Sequence, residues 1–229
     1  VKLDGNYPVG TGNVALGNTA LDSVEAGGTY NVAIGDSAGT AITTGDTNVL
    51  IGYTAGDSIT VADANVAVGA YSLSTNILGS RSVAVGYGSL YNQNFGTATE
   101  ANNTAVGFSA GNAVTTGSYN TLIGSLAGDA ITTGANNVCL GYQAGGGMTT
   151  GDSNILLGSG TARIAALTGD ENIVIGDSAG EQMTSANNNI FIGLSTGVSS
   201  VAVTTGLQNI LIGKQARVNA VDAENQITM

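Results

Sequence analysis

The apolar positions of this chain fall in short blocks of alternation, and one five-residue block recurs from end to end. It reads Asn-Val-Ala-Ile-Gly at 31 to 35. Matching blocks open at Asn13, Asn48, Asn65, Asn103, Asn120, Asn137, Asn154, Asn172, Asn189 and Asn209, and a twelfth opens with Ser82 in place of Asn. The closing glycines stand 17 to 21 residues apart, most often 17. A short fixed period of this kind is the signature of a repeat architecture. It is too short for helical-pair repeats or a propeller blade. It predicts one coil of a parallel β-solenoid, with two or three short strands per coil, about twelve coils and no helix.

Within the block the second residue is Val, Ile or Thr, and the fourth is Leu, Ile or Val. Side chains alternate along a strand, so these two share one face and the middle residue takes the other. The middle column reads Ala15, Ala33, Leu50, Ala67, Ala84, Ala105, Leu122, Cys139, Leu156, Val174, Phe191 and Leu211. Both faces are apolar, and a strand apolar on both faces must be covered on both. One face lines a thin coil. The middle column is assigned to the other face and to contact with further copies of the chain in a homo-oligomer; the alternative is a wider solenoid in which alternate coils pack both faces internally.

The flanking positions are turn chemistry. Asn31, Asn48 and Asn120 open their blocks, and Gly35, Gly52 and Gly124 close them. Gly suits a corner that needs positive φ or close backbone approach. Asn tolerates the left-handed region, and stacked coils would set its amides in a ladder. Three residues before the block comes another Gly in nine copies, often ending Thr-Thr-Gly. Three residues after it the side chain is always small, as in Ala38 and Ala55, which predicts a tight interior corner.

In chain order, residues 1–12 lead in and 13–229 form a single repeat domain. The period widens near 91–99, around Tyr91 to Phe95, and again near 198–203. Such insertions bulge from one face of a stack. Tyr91 and Phe95 are expected to pack that bulge onto the rod. The run Asn225 to Met229 reads as the start of a thirteenth block, with the chain expected to continue beyond it.

Composition narrows the function classes. Charged residues are 9% of the chain and the net charge is −11, so the surface repels nucleic acid. No apolar run reaches the roughly 20 residues of a membrane helix. With no His, Ser-His and Cys-His catalytic pairs are excluded, as are histidine metal sites. Cys139 reads as a small core residue. Asp170-Glu171 is the only adjacent acid pair, and with no Trp there is little for a sugar platform. Asp46, Asp152 and Asp170 share one turn position and read as solvated loop acids rather than a cation site. No catalytic, cofactor-binding or metal-binding residue is assigned, and no enzyme activity is expected.

The phrase Asn-Val-Ala-Ile-Gly-Asp-Ser-Ala-Gly at 31–39, with Asn-Thr-Leu-Ile-Gly-Ser-Leu-Ala-Gly at 120–128, resembles the head repeat of YadA-type trimeric autotransporter adhesins. It is also similar to the repeats of bacteriophage tail fibres. The likeness spans about residues 13–216. It implies a left-handed parallel β-roll assembled as a homotrimeric fibre with its strands facing the threefold axis, which would make the middle column, Ala15 to Leu211, the trimer interface, although the coil here is longer than the adhesin's. The run Asn225 to Met229 is similar to the segment that leads into an endosialidase-type chaperone domain. The function this implies is the structural shaft of a phage tail fibre or similar virion appendage involved in host attachment. Its partners would be itself, other virion or fibre proteins and a host-surface receptor. The alternative is an adhesin head on a bacterial cell surface that binds a host or matrix ligand. A third is a Thr-rich ice-binding solenoid, which would need an unbroken Thr array.

Overall fold

A computed structural model describes residues 10–164, 166–198, 205–218, 220 and 222–229. Most of the lead-in and nearly all of the insertion expected at 198–203 lie outside them. The chain divides into two compact units, residues 1–116 and 117–229.

In the first unit the strands are β1 (Val14–Leu16), β2 (Val32–Ile34), β3 (Val49–Ile51), β4 (Val66–Val68), β5 (Gly79–Ser80), β6 (Val83–Val85), β7 (Thr99–Glu100) and β8 (Thr104–Val106). β1, β2, β3, β4, β6 and β8 pair in that order, all parallel, and β5 pairs with β7. In the second unit β9 (Thr121–Ile123), β10 (Val138–Leu140), β11 (Ile155–Leu157), β12 (Ile173–Ile175), β13 (Ile190–Ile192), β14 (Ile210–Ile212) and β15 (Ile227–Thr228) pair in sequence, again parallel. The protein is an all-β parallel β-solenoid of about 12 turns, with no helix among the described residues.

Each recurring block is a strand, and the register sets like over like: Val32 opposite Val49, Ala33 opposite Leu50, Ile34 opposite Ile51. Most coils carry one three-residue strand rather than two or three, and the Thr-Thr-Gly segments are bends. The turns nonetheless stack by backbone bonds, such as Leu21 N–H to Ala38 O and Thr54 N–H to Asp36 O.

The corners explain the period. The residue before each block sits in the left-handed region, and in every block after the first, which Gly12 precedes, it is not Gly, as Tyr30 (φ 57°), Thr47 (57°) and Asn136 (59°) show. A second such corner falls two residues after the closing Gly, at Ser37, Thr54 and Gln143. Each costs about 1–2 kcal/mol, so the stacked bonds on either side must hold it. The opening Asn is not in this region, contrary to the expectation from its turn propensity. The closing Gly is confined twice over. Gly35 has φ 141°, and a Cβ on it would lie 2.3 Å from the carbonyl oxygen of Gly52 in the next coil.

The interior of a coil is built from three columns. In the coil of β3, Leu50, Ala55 and Ile59 are completely buried. The small residue three after the closing Gly is an interior corner, as predicted. Volumes compensate within several coils, and beside Gly39, in the coil of Ala33, the space is taken by Leu21 and Leu50 of the neighbouring coils. Where the middle residue is Leu50 or Leu122, the residue four after the closing Gly is Gly56 or Gly128; where it is Ala67 or Ala84, that place holds the buried Leu73 or Leu90. Close packing of this kind tolerates no void.

The last strand shifts one expectation. Ile227 pairs with Ile210, and the Gln226 N–H donates to Asn209 Oδ1 at 3.0 Å. Gln226 therefore takes the opening place, with Asn225 in the left-handed corner before it (φ 54°).

Candidate functional site

The middle column does not face outward. Ala33, Leu50, Ala67, Ala84, Ala105, Leu122, Cys139, Leu156, Val174, Phe191 and Leu211 are all completely buried inside the coils of one chain. Ala15, in the first coil described, is half-buried. The assignment of this column to the trimer interface is therefore corrected: Ala38, Ile42 and their counterparts in other coils already cover it. Alternation in the sequence fixes that there are two faces, but not which one the turns wrap around.

The face left uncovered is the other one. The second and fourth residues of each block, which are the first and third of its strand, are half-buried or exposed, including Val14 (51% exposed), Leu140 (47%) and Ile212 (41%). In the first unit this gives a stripe from Val14 to Val106, and in the second a stripe from Thr121 to Ile227. Thr104 and Thr121 are its only polar members, and no charged residue interrupts it. Successive coils repeat at the strand spacing of about 4.8 Å, so each stripe is continuous. Contiguous apolar surface of this kind marks an interaction site.

The Asn column forms the expected ladder, buried along the interior. Asn48 N–H and Nδ2 donate to Asn31 Oδ1 at 2.9 and 3.0 Å, and Asn48 Nδ2 also donates to Ala62 O at 2.9 Å. The same motif runs through Asn137, Asn154, Asn172, Asn189 and Asn209 in the second unit. Asn120 Nδ2 donates to Gly134 O at 2.9 Å. Ser82 is too short to take part fully. The longer coil repairs the gap with Gln93, whose Oε1 accepts from Asn103 Nδ2 at 2.8 Å and whose Nε2 lies 3.2 Å from Ser82 Oγ. Phe95 is buried as well and Tyr91 is half-buried, so the bulge is fastened from inside.

The turn acids are more than solvated. Asp46 Oδ1 accepts from Thr29 N–H and Oγ1 at 2.6 and 2.8 Å, and Asp152 N–H donates to Asp170 Oδ1 at 2.7 Å. They link coil to coil, and no cluster of metal-ligating side chains occurs among the described residues. Cys139 is buried, and that burial pushes its thiol pKa up to about 12. At the outer Thr position Thr44 is followed one coil on by Val61, so no unbroken Thr array forms there.

One cluster escaped the reading of the sequence. On the surface of the first unit, the Tyr71 ring meets Tyr53, Tyr87 and Tyr91 edge-on at centroid distances of 5.3, 5.5 and 6.4 Å, and Tyr87 stacks on Phe108 at 5.6 Å. Partial removal from water, then the neighbouring phenols of Tyr53 and Tyr87, raise the Tyr71 hydroxyl above its ordinary value. Tyr53, Tyr87 and Phe108 all directly follow closing glycines, at a place that is Ser125 or Asp177 elsewhere. Their alignment becomes visible only when the coils are stacked.

The fold and its surfaces define a class, that of β-solenoid repeat proteins. Comparison with family models, curated proteins and solved structures finds no match to this chain.

Proposed function

We propose that this chain is a structural segment of a homotrimeric fibre, the shaft of a phage tail fibre or similar virion appendage that serves host attachment. The observation that carries this reading is the uncharged aliphatic stripe left exposed on the strand faces. An isolated chain would hold it against water at every coil. Further copies of the same chain offer identical stripes at the identical repeat, so one axial spacing serves both surfaces. The shaft does no chemistry. Its work is mechanical, with backbone ladders along the coils and apolar contact between chains. Other virion or fibre proteins would hold it at one end and a host receptor would be engaged beyond it.

Light scattering on the 22.5 kDa chain tests this directly. The expected mass is three chains. Ile190→Asp, on the outer face, should lower it to one chain with the circular dichroism of the solenoid kept. A wild-type mass of one chain at tens of micromolar would refute the assembly.

A further inference from the structure

Two residues after the closing Gly, the first unit carries Thr19, Ser37, Thr54, Tyr71, Gly88 and Ser109 in successive coils. Gly88 alone has no side chain. Its φ of 61° equals that of Tyr71, so the backbone does not require glycine there. An added Cβ would meet nothing closer than Asn112 Nδ2 at 3.4 Å and Ser109 Oγ at 3.7 Å. The missing side chain opens a notch in an otherwise filled column.

That notch is the floor of a groove of 390 Å³ lined by Tyr71, Tyr87, Gly88, Tyr91, Asn92 and Asn112. Asn92 Nδ2 donates to Asn112 O, and Asn112 Nδ2 donates to Gly88 O, each at 3.0 Å. These bonds fix both amides and leave their carbonyl oxygens as acceptors. Three phenol hydroxyls add groups that both donate and accept. No charged side chain lines the groove.

The surrounding coils depart from the repeat in ways that serve this groove. Tyr91 and Asn92 keep regular stacking places in the widened coil, just ahead of its extra residues, which fall between Phe95 and Thr99. Gln93 and Phe95, the next buried residues, anchor that stretch inside, and Asn76 stands buried where other coils place Ile42 or Ile59. A break in a local rule that the rest of the chain obeys is expected where a site is built.

Ring faces beside neutral, rigidly held acceptors and hydroxyls match a ligand with an apolar C–H face and many hydroxyls, and without charge. We propose that this groove binds a neutral saccharide, with a pyranose ring seated over Gly88. A polyanion would meet a chain of net charge −11, and a lipid tail would find hydroxyls and amides instead of an aliphatic trough. The site needs residues of one unit only and does not rest on the trimer.

Saturation-transfer difference NMR tests it, with maltohexaose, cellohexaose and mannohexaose as probes. Wild type is compared with Tyr87→Ala and Gly88→Gln. Gln143 already occupies the equivalent corner at φ 52°, so Gly88→Gln fills the groove while keeping the backbone. Transfer to at least one probe is expected, with affinity lowered about tenfold or more in both variants, as loss of one stacking contact implies. No transfer from any probe overturns the proposal, and so does equal transfer to Gly88→Gln. If the two variants instead lower the mass of the wild-type assembly without affecting any saccharide signal, the rings belong to a contact between copies and the proposal fails. The wild-type mass reports on the trimer independently of all these outcomes.

Discussion

Replacing Asn154 by Ala removes one rung of the amide ladder and nothing else of consequence. In the native coil Asn154 Oδ1 accepts from Asn172 N–H at 3.0 Å and from Asn172 Nδ2 at 2.9 Å, while Asn154 Nδ2 donates to Gly169 O at 3.0 Å. Asn154 and Asn172 are completely buried, so water does not replace these partners. The substitution strands the Asn172 N–H and the Gly169 carbonyl. Each buried group left without its partner costs about 1–3 kcal/mol, which gives about 2–6 kcal/mol for the pair. Because a solenoid coil contacts mainly its neighbours, the loss is felt first as local opening. Hydrogen exchange at the Asn172 amide is therefore the sharpest assay, backed by denaturant unfolding. Protection there should fall by about thirtyfold or more, the equivalent of about 2 kcal/mol. The exposed Asn18→Ala serves as the control and should change little. An Asn154→Ala protein within about 0.5 kcal/mol of wild type, with the Asn172 amide still protected, would refute the view that the ladder holds the stack.

Two further outcomes follow from the interior. Gln93→Ala should cost about 1–3 kcal/mol through the acceptor lost to Asn103. Adding Ser82→Asn should recover part of that, although Ser82→Asn alone overfills the coil; strict additivity in a double-mutant cycle would count against Gln93 as the substitute rung. The Cys139 thiol should not react with a disulfide reagent at pH 8 unless the chain unfolds, and labelling within minutes in native buffer would contradict its burial. Its folded pKa of about 12 lies above the unfolded value near 9. The stability this contributes is complete below pH 9 and is lost as pH rises towards 12. Cys139→Ala should therefore flatten that part of the stability–pH curve.

Much of the fold was legible because the repeat is so regular. The period, the parallel strands, the small interior corner and the Asn ladder all follow from residue type at fixed spacing. The orientation of the strand did not follow, and the reason is physical. Both columns are apolar, so hydrophobicity cannot rank them. A signal was nevertheless present in the volumes. The middle column swings from Ala84 to Phe191, with compensating changes at Leu90 and Gly197 in the same coils. Only residues packed against each other inside a coil need such compensation. The outer column stays nearly uniform, Val over Val and Ile over Ile, as residues do that stack mainly on their own copies. The aromatic cluster was illegible for a different reason. Tyr53, Tyr71, Tyr87, Tyr91 and Phe108 span 56 positions of the chain and meet only through the stacking of four coils.

The repeat can do some things and not others. A ladder of equivalent coils gives each coil the same contacts as the next, so it supplies length and stiffness but no unique address along the axis. Recognition of a single ligand requires a place where the repeat is broken without the stack failing. Between Gly69 and Asn112 the chain breaks several rules together: Ser82 for Asn, Asn76 and Gln93 for aliphatic residues, Gly88 for a larger corner residue, and a coil lengthened by four residues. The interior substitutions repair one another through the Ser82–Gln93–Asn103 bonds. The exterior ones remain open as a groove. A random loss of regularity would have no reason to be repaired on the inside and left vacant on the outside, and that asymmetry is what favours this segment as the place to test for a ligand.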